Sequence, residues 1–238
     1  SRCLSSVNNS YKEMLGRIAI NSCLKAHTVI SGHYRLHSTM AEKLKVIIFM
    51  GSLREGRLCD RVTKYVKNGL EKRGCYAIEV FDPESMPFEV IRKPLHFYAD
   101  PTQAPDWLRQ ANEKIKATDA FIIISPEYNC TIPPTLTNMM DHFSPASYQY
   151  RPTGIVTYSP SNLGGARAGV ALRPFLAELG SPSIPGSVII GTASKQVSED
   201  GKVENETLNG RLESFLDDVE FYATALKNQR AAKASVKL

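Results

Sequence analysis

The sequence contains no C-x-x-C pair, and its five cysteines, Cys3, Cys23, Cys59, Cys75 and Cys130, are widely scattered. An odd, dispersed set excludes a disulfide framework and a zinc knuckle and points to a reducing compartment. Long apolar runs are also missing. Even the stretch 120–125, "AFIIIS", is strand-sized and far short of the roughly 18 to 20 residues that cross a bilayer, so no membrane insertion is expected. No G-K-[ST] follows a glycine-rich turn and no G-x-G-x-x-G occurs, which excludes a Walker loop and the dinucleotide fingerprint.

Acidic residues are scarce in one region. Residues 1–39 hold Arg2, Lys12, Arg17, Lys25 and Arg35 against Glu13 alone, so the net charge of +5 lies mostly there. The body is left near neutral without a basic run interleaved with aromatics, and nucleic-acid binding is not expected. The first 39 residues are also Ser-rich, which is the composition of an organelle transit peptide. Met40 opens "MAEKLKVIIFMGS", so a translated upstream extension fits the same residues. Either way, residues 1–39 are expected to be a disordered leader, 40–228 a single domain and 229–238 a polar basic tail. The cytoplasm is the expected location, or the mitochondrion if the leader directs import. His27, His33 and His37 lie close together without a second ligand cluster, so surface histidines are expected there and no metal site.

In the body, apolar runs of strand length alternate with helical patterns, as in a parallel sheet covered on both faces. Strands are expected at 45–50, 75–81, 120–125, 153–158 and 187–190. Leu58, Val62, Tyr65, Val66 and Leu70 recur at helical spacing until Gly74. Further helices are expected at 106–116, at Leu136 to Phe143 behind Pro133 and Pro134, and at 166–179 with Val170, Leu172, Phe175 and Leu176 inward. The last, 204–226, carries Leu208, Leu212, Phe215, Leu216 and Val219 on one face. Five strands with intervening helices predict a flavodoxin-like, doubly wound α/β domain.

In such a sheet, ligands lie beyond the carboxyl ends of the strands near the point where strand order reverses. That rule selects three loops. The first, "GSLREGR" at 51–57, offers the Ser52 hydroxyl, a helix N-terminus, and Arg54 and Arg57 as donors for a phosphate dianion. An ordinary strand-to-helix turn with two solvated arginines is the other reading. The second, "SPEYNCTIPP" at 125–134, places Pro126, Glu127, Tyr128 and Asn129 directly after a buried strand. Cys130 there reads as an inert small residue more readily than as a redox thiol. His142, beyond this loop, is expected at a surface or interface. The third, "SPSNLGGAR" at 159–167, adds Ser159, Gly164 and Gly165 after Tyr158. Its glycines suit either close approach of a flat ligand or a flexible turn.

Taken in order over residues 44–193, these three loops resemble the NADPH-dependent FMN reductase family, which includes quinone, azo and chromate reductases. The resemblance implies bound, non-covalent FMN with its phosphate on Ser52 and Arg54, and less certainly on Arg57. It implies that Pro126, Glu127, Tyr128 and Asn129 line the ring and ribityl chain, largely through backbone groups. Tyr158, Ser159, Gly164 and Gly165 would close the other side. A homodimer or homotetramer is implied. So is a hydride passed from NADPH, with NADH possible, to flavin N5, followed by two electrons to a quinone or similar acceptor. No catalytic side chain is required, because the flavin carries the chemistry. Thr137 and His142 depart from the family pattern, which leaves donor and acceptor preference open. An FMN electron carrier or redox-responsive interaction protein with little turnover is the alternative, and a flavin-free phosphate-binding domain a third reading.

Overall fold

The computed structural model describes residues 42–235; the expected leader, 1–39, lies outside the described residues. Five strands form one sheet: β1 (Leu44–Met50), β2 (Tyr76–Phe81), β3 (Ala120–Pro126), β4 (Thr153–Tyr158) and β5 (Ser183–Ile190). Their order is β2-β1-β3-β4-β5, and every neighbouring pair is parallel. The chain steps outward from β1 to β2 and then back across β1 to β3. Strand order therefore reverses between β1 and β3, which is the expected flavodoxin-like winding.

The helices are α1 (Cys59–Arg73), α2 (Asp106–Ala117), α3 (Pro134–Asp141), the single turn α4 (Pro145–Tyr148), α5 (Ala166–Glu178), the single turn α6 (Ala193–Gln196) and α7 (Glu206–Ser235). Successive strand residues point to opposite faces, so each apolar run feeds two cores. Val46, Ile48 and Met50 of β1, with Ile122 and Ile124 of β3, meet α1 and α7 through Val62, Val66, Leu212 and Leu216. Ile47 and Phe49, with Phe121 and Ile123, meet α2, α3 and α5 through Leu108, Ile115, Met139 and Leu172. This double burial explains why β1 and β3 read as continuous apolar runs without polar alternation. Among the described residues, no helix is long and apolar enough to cross a membrane.

Two boundaries and one position expected to be buried differ from the periodicity. β5 begins at Ser183, ahead of the expected 187, and includes Pro185 and Gly186. It is an edge strand, where a missing ladder donor is tolerated. Val170 is 70% exposed and falls outside the buried stripe of α5, which consists of Ala168, Leu172 and Leu176. The largest difference is α7, which continues to Ser235 and so takes in part of the expected tail.

Ion pairing accounts for the extra length. Asp119, buried at the start of β3, accepts from Lys227 Nζ at 3.1 Å, from Arg230 Nη2 at 3.0 Å and from the Lys45 amide at 3.0 Å. One carboxylate thus ties the late turns of α7 to the amino ends of β1 and β3. Replacing it by alanine leaves Arg230 without a carboxylate, Lys227 with Glu42 alone and the Lys45 amide unsatisfied. Asp119→Ala is expected to cost about 2–4 kcal/mol of stability, read as a lower urea midpoint with an unchanged slope.

Candidate functional site

The three loops selected by topology meet beyond the carboxyl ends of β1, β3 and β4. Ser52, Arg54, Arg57, Pro126, Glu127, Tyr128, Tyr158 and Ser159 line a common cleft of about 230 Å³. Asn129, Gly164 and Gly165 stand outside its lining. The cleft is smaller than the roughly 300–1,000 Å³ of most ligand pockets, and the Tyr128 side chain leans over its floor to touch Ser52. A larger groove of about 570 Å³ runs from Asn162 to Arg211, but Arg211 is its single charged lining residue, so size alone does not make it the site.

In the first loop the two arginines have separate tasks. Arg57 makes a two-pronged pair with Asp82, Nη1 to Oδ1 at 2.7 Å and Nη2 to Oδ2 at 2.6 Å. It also reaches Asp60, Glu84 and the Ser52 carbonyl, and its side chain is only 6% exposed. Asp82 holds its proton-binding affinity low: burial acts to raise it, but the hydrogen bonds from Arg57 and the Glu84 amide outweigh that. Arg57 is raised in turn, chiefly by Asp82. Arg57 therefore braces the loop, where the sequence had suggested a phosphate donor. Arg54 instead lies on the Tyr128 ring, with Cζ 3.6 Å from the centroid, and pairs with no carboxylate among the described residues. Ser52 is buried, and its hydroxyl accepts from the Arg54 amide at 3.3 Å. Helix α1 begins at Cys59 with no side-chain cap on its first turn.

The second loop is a tight reversal. Tyr128 and Thr131 exchange both backbone bonds, at 3.2 and 3.0 Å, and the intervening Asn129 and Cys130 have φ of 50° and 66°. Two left-handed residues in a two-residue hairpin define a type I′ turn, which is costly at a non-glycine such as Cys130. Glu127 turns away from catalysis. Its carboxylate accepts from the Arg167 and Ala168 amides at 2.9 and 3.4 Å and from Arg167 Nε at 2.7 Å. It thereby caps α5, and the Arg167 bond holds it below the usual carboxylate range.

In the third loop, Ser159 bonds Ser161 through its carbonyl and hydroxyl, both at 3.0 Å. Tyr158 and Cys59 are buried beneath the cleft, and burial pushes the Cys59 thiol up to about 11 and the Tyr158 phenol upward as well. Both stay neutral. Gly164 and Gly165 have φ of 61° and 80°. A Cβ at Gly164 would lie 2.6 Å from Ile189 Cγ2 and 2.8 Å from the Gly191 amide. One at Gly165 would lie 3.0 Å from the Tyr158 carbonyl. Their smallness thus serves the protein's own chain, which must pass tightly over the ends of β4 and β5.

His142 departs from the expected surface or interface position. It is buried, packed edge-on against Phe88 and beside Trp107, with Nδ1 2.7 Å from the Asn138 carbonyl, to which it donates. It belongs to the core beside α3. Asp82 and Arg167 are functional neighbours that motif reading passed over. β2 is adjacent to β1, so the residue after its carboxyl end was reachable by the same topological rule that selected the other loops.

The donor set suits a phosphorylated flavin: a buried hydroxyl, a guanidinium without a carboxylate partner, and an uncapped helix start at the reversal point. Comparison with known proteins points the same way. The profile described as NADPH-dependent FMN reductase matches residues 44–195. The chain belongs to that family. It is 30% identical over 194 residues to a quinone reductase of Escherichia coli K12, spanning 74% of this chain and 95% of that one. It is 25% identical over 201 residues to a quinone reductase of Pseudomonas putida, spanning 81% and 100%. Among solved structures, the NAD(P)H:acceptor oxidoreductase FerB of Paracoccus denitrificans superposes with a TM-score of 0.63 at 23% identity, covering 75% of this chain and 98% of that chain, a likeness of fold. This member of the FMN reductase family is accordingly an FMN-dependent NAD(P)H oxidoreductase.

Its loop architecture has a pH signature. Asp82 binds its proton more weakly folded than unfolded, so its contribution to stability is complete above the ordinary carboxylate range and is lost as pH falls below about 4. Asp82→Asn is expected to destabilise the family member near neutrality and to flatten its loss of stability between about pH 5 and 3, measured by urea unfolding across that range.

Proposed function

We propose that the protein passes reducing equivalents from NADPH, with NADH possible, to a quinone or a similar small acceptor. The observation that carries this reading is the meeting of Ser52, Arg54 and the uncapped start of α1 with the 126–129 turn at one end of the sheet. In it, Ser52 and Arg54 hold the phosphate of FMN while Arg57 stiffens the loop. The backbone of Pro126, Glu127 and Tyr128 forms one wall and Tyr158 and Ser159 the other, while Asn129, Gly164 and Gly165, outside the lining, set the course of the chain behind them. Bound FMN supplies a ring that accepts a hydride and returns two electrons. The protein's work is to bind, orient and partly desolvate. None of its side chains is assigned as an acid: Glu127 is committed to α5 and His142 to the core.

A homodimer or homotetramer is proposed from the family resemblance, with the strongly exposed Val90 and Phe97 as apolar side chains that a second copy would cover. Free thiols at Cys59, Cys75 and Cys130 suit a reducing compartment, proposed to be the cytoplasm.

The purified protein is expected to carry flavin absorbance near roughly 370 and 450 nm. It should bleach anaerobically with NADPH, a parallel reduction with NADH fixing the donor preference, and recover on addition of a small quinone over many turnovers. Bleaching without turnover would make it a carrier, and no flavin uptake at all would defeat the proposal. Arg54→Ala is expected to weaken FMN binding by about 1.5–3 kcal/mol through loss of a charge-assisted contact, measured by flavin fluorescence titration. Unchanged affinity would leave the loop backbone alone as the phosphate cradle.

A further inference from the structure

The side chain of Tyr128 touches both groups to which phosphate recognition is assigned. Its hydroxyl is 2.6 Å from Ser52 Oγ, and its ring lies under the Arg54 guanidinium at 3.6 Å. Tyr128 is itself pinned on both sides. The preceding residue, Glu127, is fixed to the amino end of α5, and the following turn is closed by two backbone bonds to Thr131. The strain of two left-handed residues is thus spent on holding one phenol against the first loop.

Each contact has a consequence for anion binding. Ser52 Oγ has two acceptor positions and one proton. The Arg54 amide occupies one acceptor position, and the phenol, either donor or acceptor by the 2.6 Å geometry, is assigned as donor to the other. The serine proton is then left to point at an incoming anion. Arg54 is a long side chain that loses rotamer freedom when it grips a ligand. With no carboxylate to hold it among the described residues, the aromatic face is what limits its freedom in advance.

We infer that Tyr128 is a positioning residue whose side chain aligns the Ser52 hydroxyl and the Arg54 guanidinium for a phosphate monoester, so that the site selects a phosphorylated flavin over the same flavin without phosphate. The inference rests on the FMN site proposed above. It goes beyond it by giving the Tyr128 side chain, and not its backbone alone, a role in specificity.

The test compares FMN with riboflavin on the full chain freed of flavin, by quenching of flavin fluorescence. Wild type is measured first, with Tyr128→Phe, Tyr128→Leu, Ser52→Ala and the Ser52→Ala/Tyr128→Phe double variant beside it. Tyr128→Phe keeps the ring and should weaken FMN about tenfold while leaving riboflavin within about twofold, the size of one lost hydrogen bond. Tyr128→Leu also removes the surface under Arg54 and should lose more FMN affinity, again with riboflavin little changed. The double variant should bind FMN no more weakly than Ser52→Ala, because the phenol acts through that hydroxyl. Equal losses for both flavins in Tyr128→Phe would mean a merely structural tyrosine and would overturn the inference. Tighter FMN binding in Tyr128→Phe would overturn it too, by showing that the phenol competes with phosphate. Wild type that binds neither flavin would remove the FMN site itself, whereas wild type that binds both equally would leave that site standing and sink only the selectivity.

Discussion

β1 and β3 lie side by side in parallel with Met50 opposite Ile124, and helices cover both faces of the pair. A one-residue slip would exchange the side chains of the two cores, putting Phe49 and Phe121 where Ile48 and Ile122 pack, and so undo the fit of both. The carboxyl ends of the two strands are therefore held at fixed separation, and the chain leaves them toward opposite sides of the reversal point. The loops at 51–57 and 126–131 inherit that placement. A hydroxyl on one and a phenol on the other can then meet at 2.6 Å although they are 76 residues apart in sequence.

On this base, charge is used mainly for support. Asp82, Glu127 and Asp119 each face guanidinium groups, and each joins elements distant in sequence: β2's end to the first loop, the second loop to α5, and β3 to α7. Asp82 and Glu127, held below the ordinary carboxylate range by Arg57 and Arg167, are poor proton donors at neutral pH. A site built around a borrowed cofactor has no need of one, and its requirement is instead a rigid frame with a few unspent donors. Arg54 is such a donor, while Arg57, three residues on, is fully committed. Two arginines in one short loop thus differ in that one is fully paired and the other has no carboxylate partner among the described residues.

The central strands β1 and β3 and the loops that follow them were legible, because strands buried on both faces write themselves as unbroken apolar runs, whereas the edge strand β5, with Pro185 and Gly186 inside it, was legible only in its second half. The division between Arg54 and Arg57 was not legible. It depends on Asp82, which β2 delivers from 25 residues away. His142 was misjudged because helical spacing reports which residues lie near a stripe and says nothing of Phe88 and Trp107, which arrive from other segments to enclose it. The glycines of the third loop invited a ligand, but the close neighbours are Ile189, Gly191 and Tyr158 of the protein itself.

Over residues 125–143, sequence by itself determined that a buried strand ends in a proline-flanked turn and that an apolar helix follows. Local propensity and periodicity suffice for that, since both concern neighbours along the chain. Tertiary structure alone decided what each polar side chain in the turn faces. Glu127 meets a helix start, Tyr128 meets Ser52 and Arg54, and His142 meets two aromatic rings. The physical reason is that hydrogen bonds, ion pairs and ring contacts act over a few ångströms in space, and the partners that satisfy them are brought there by strand order, which no short window of sequence contains.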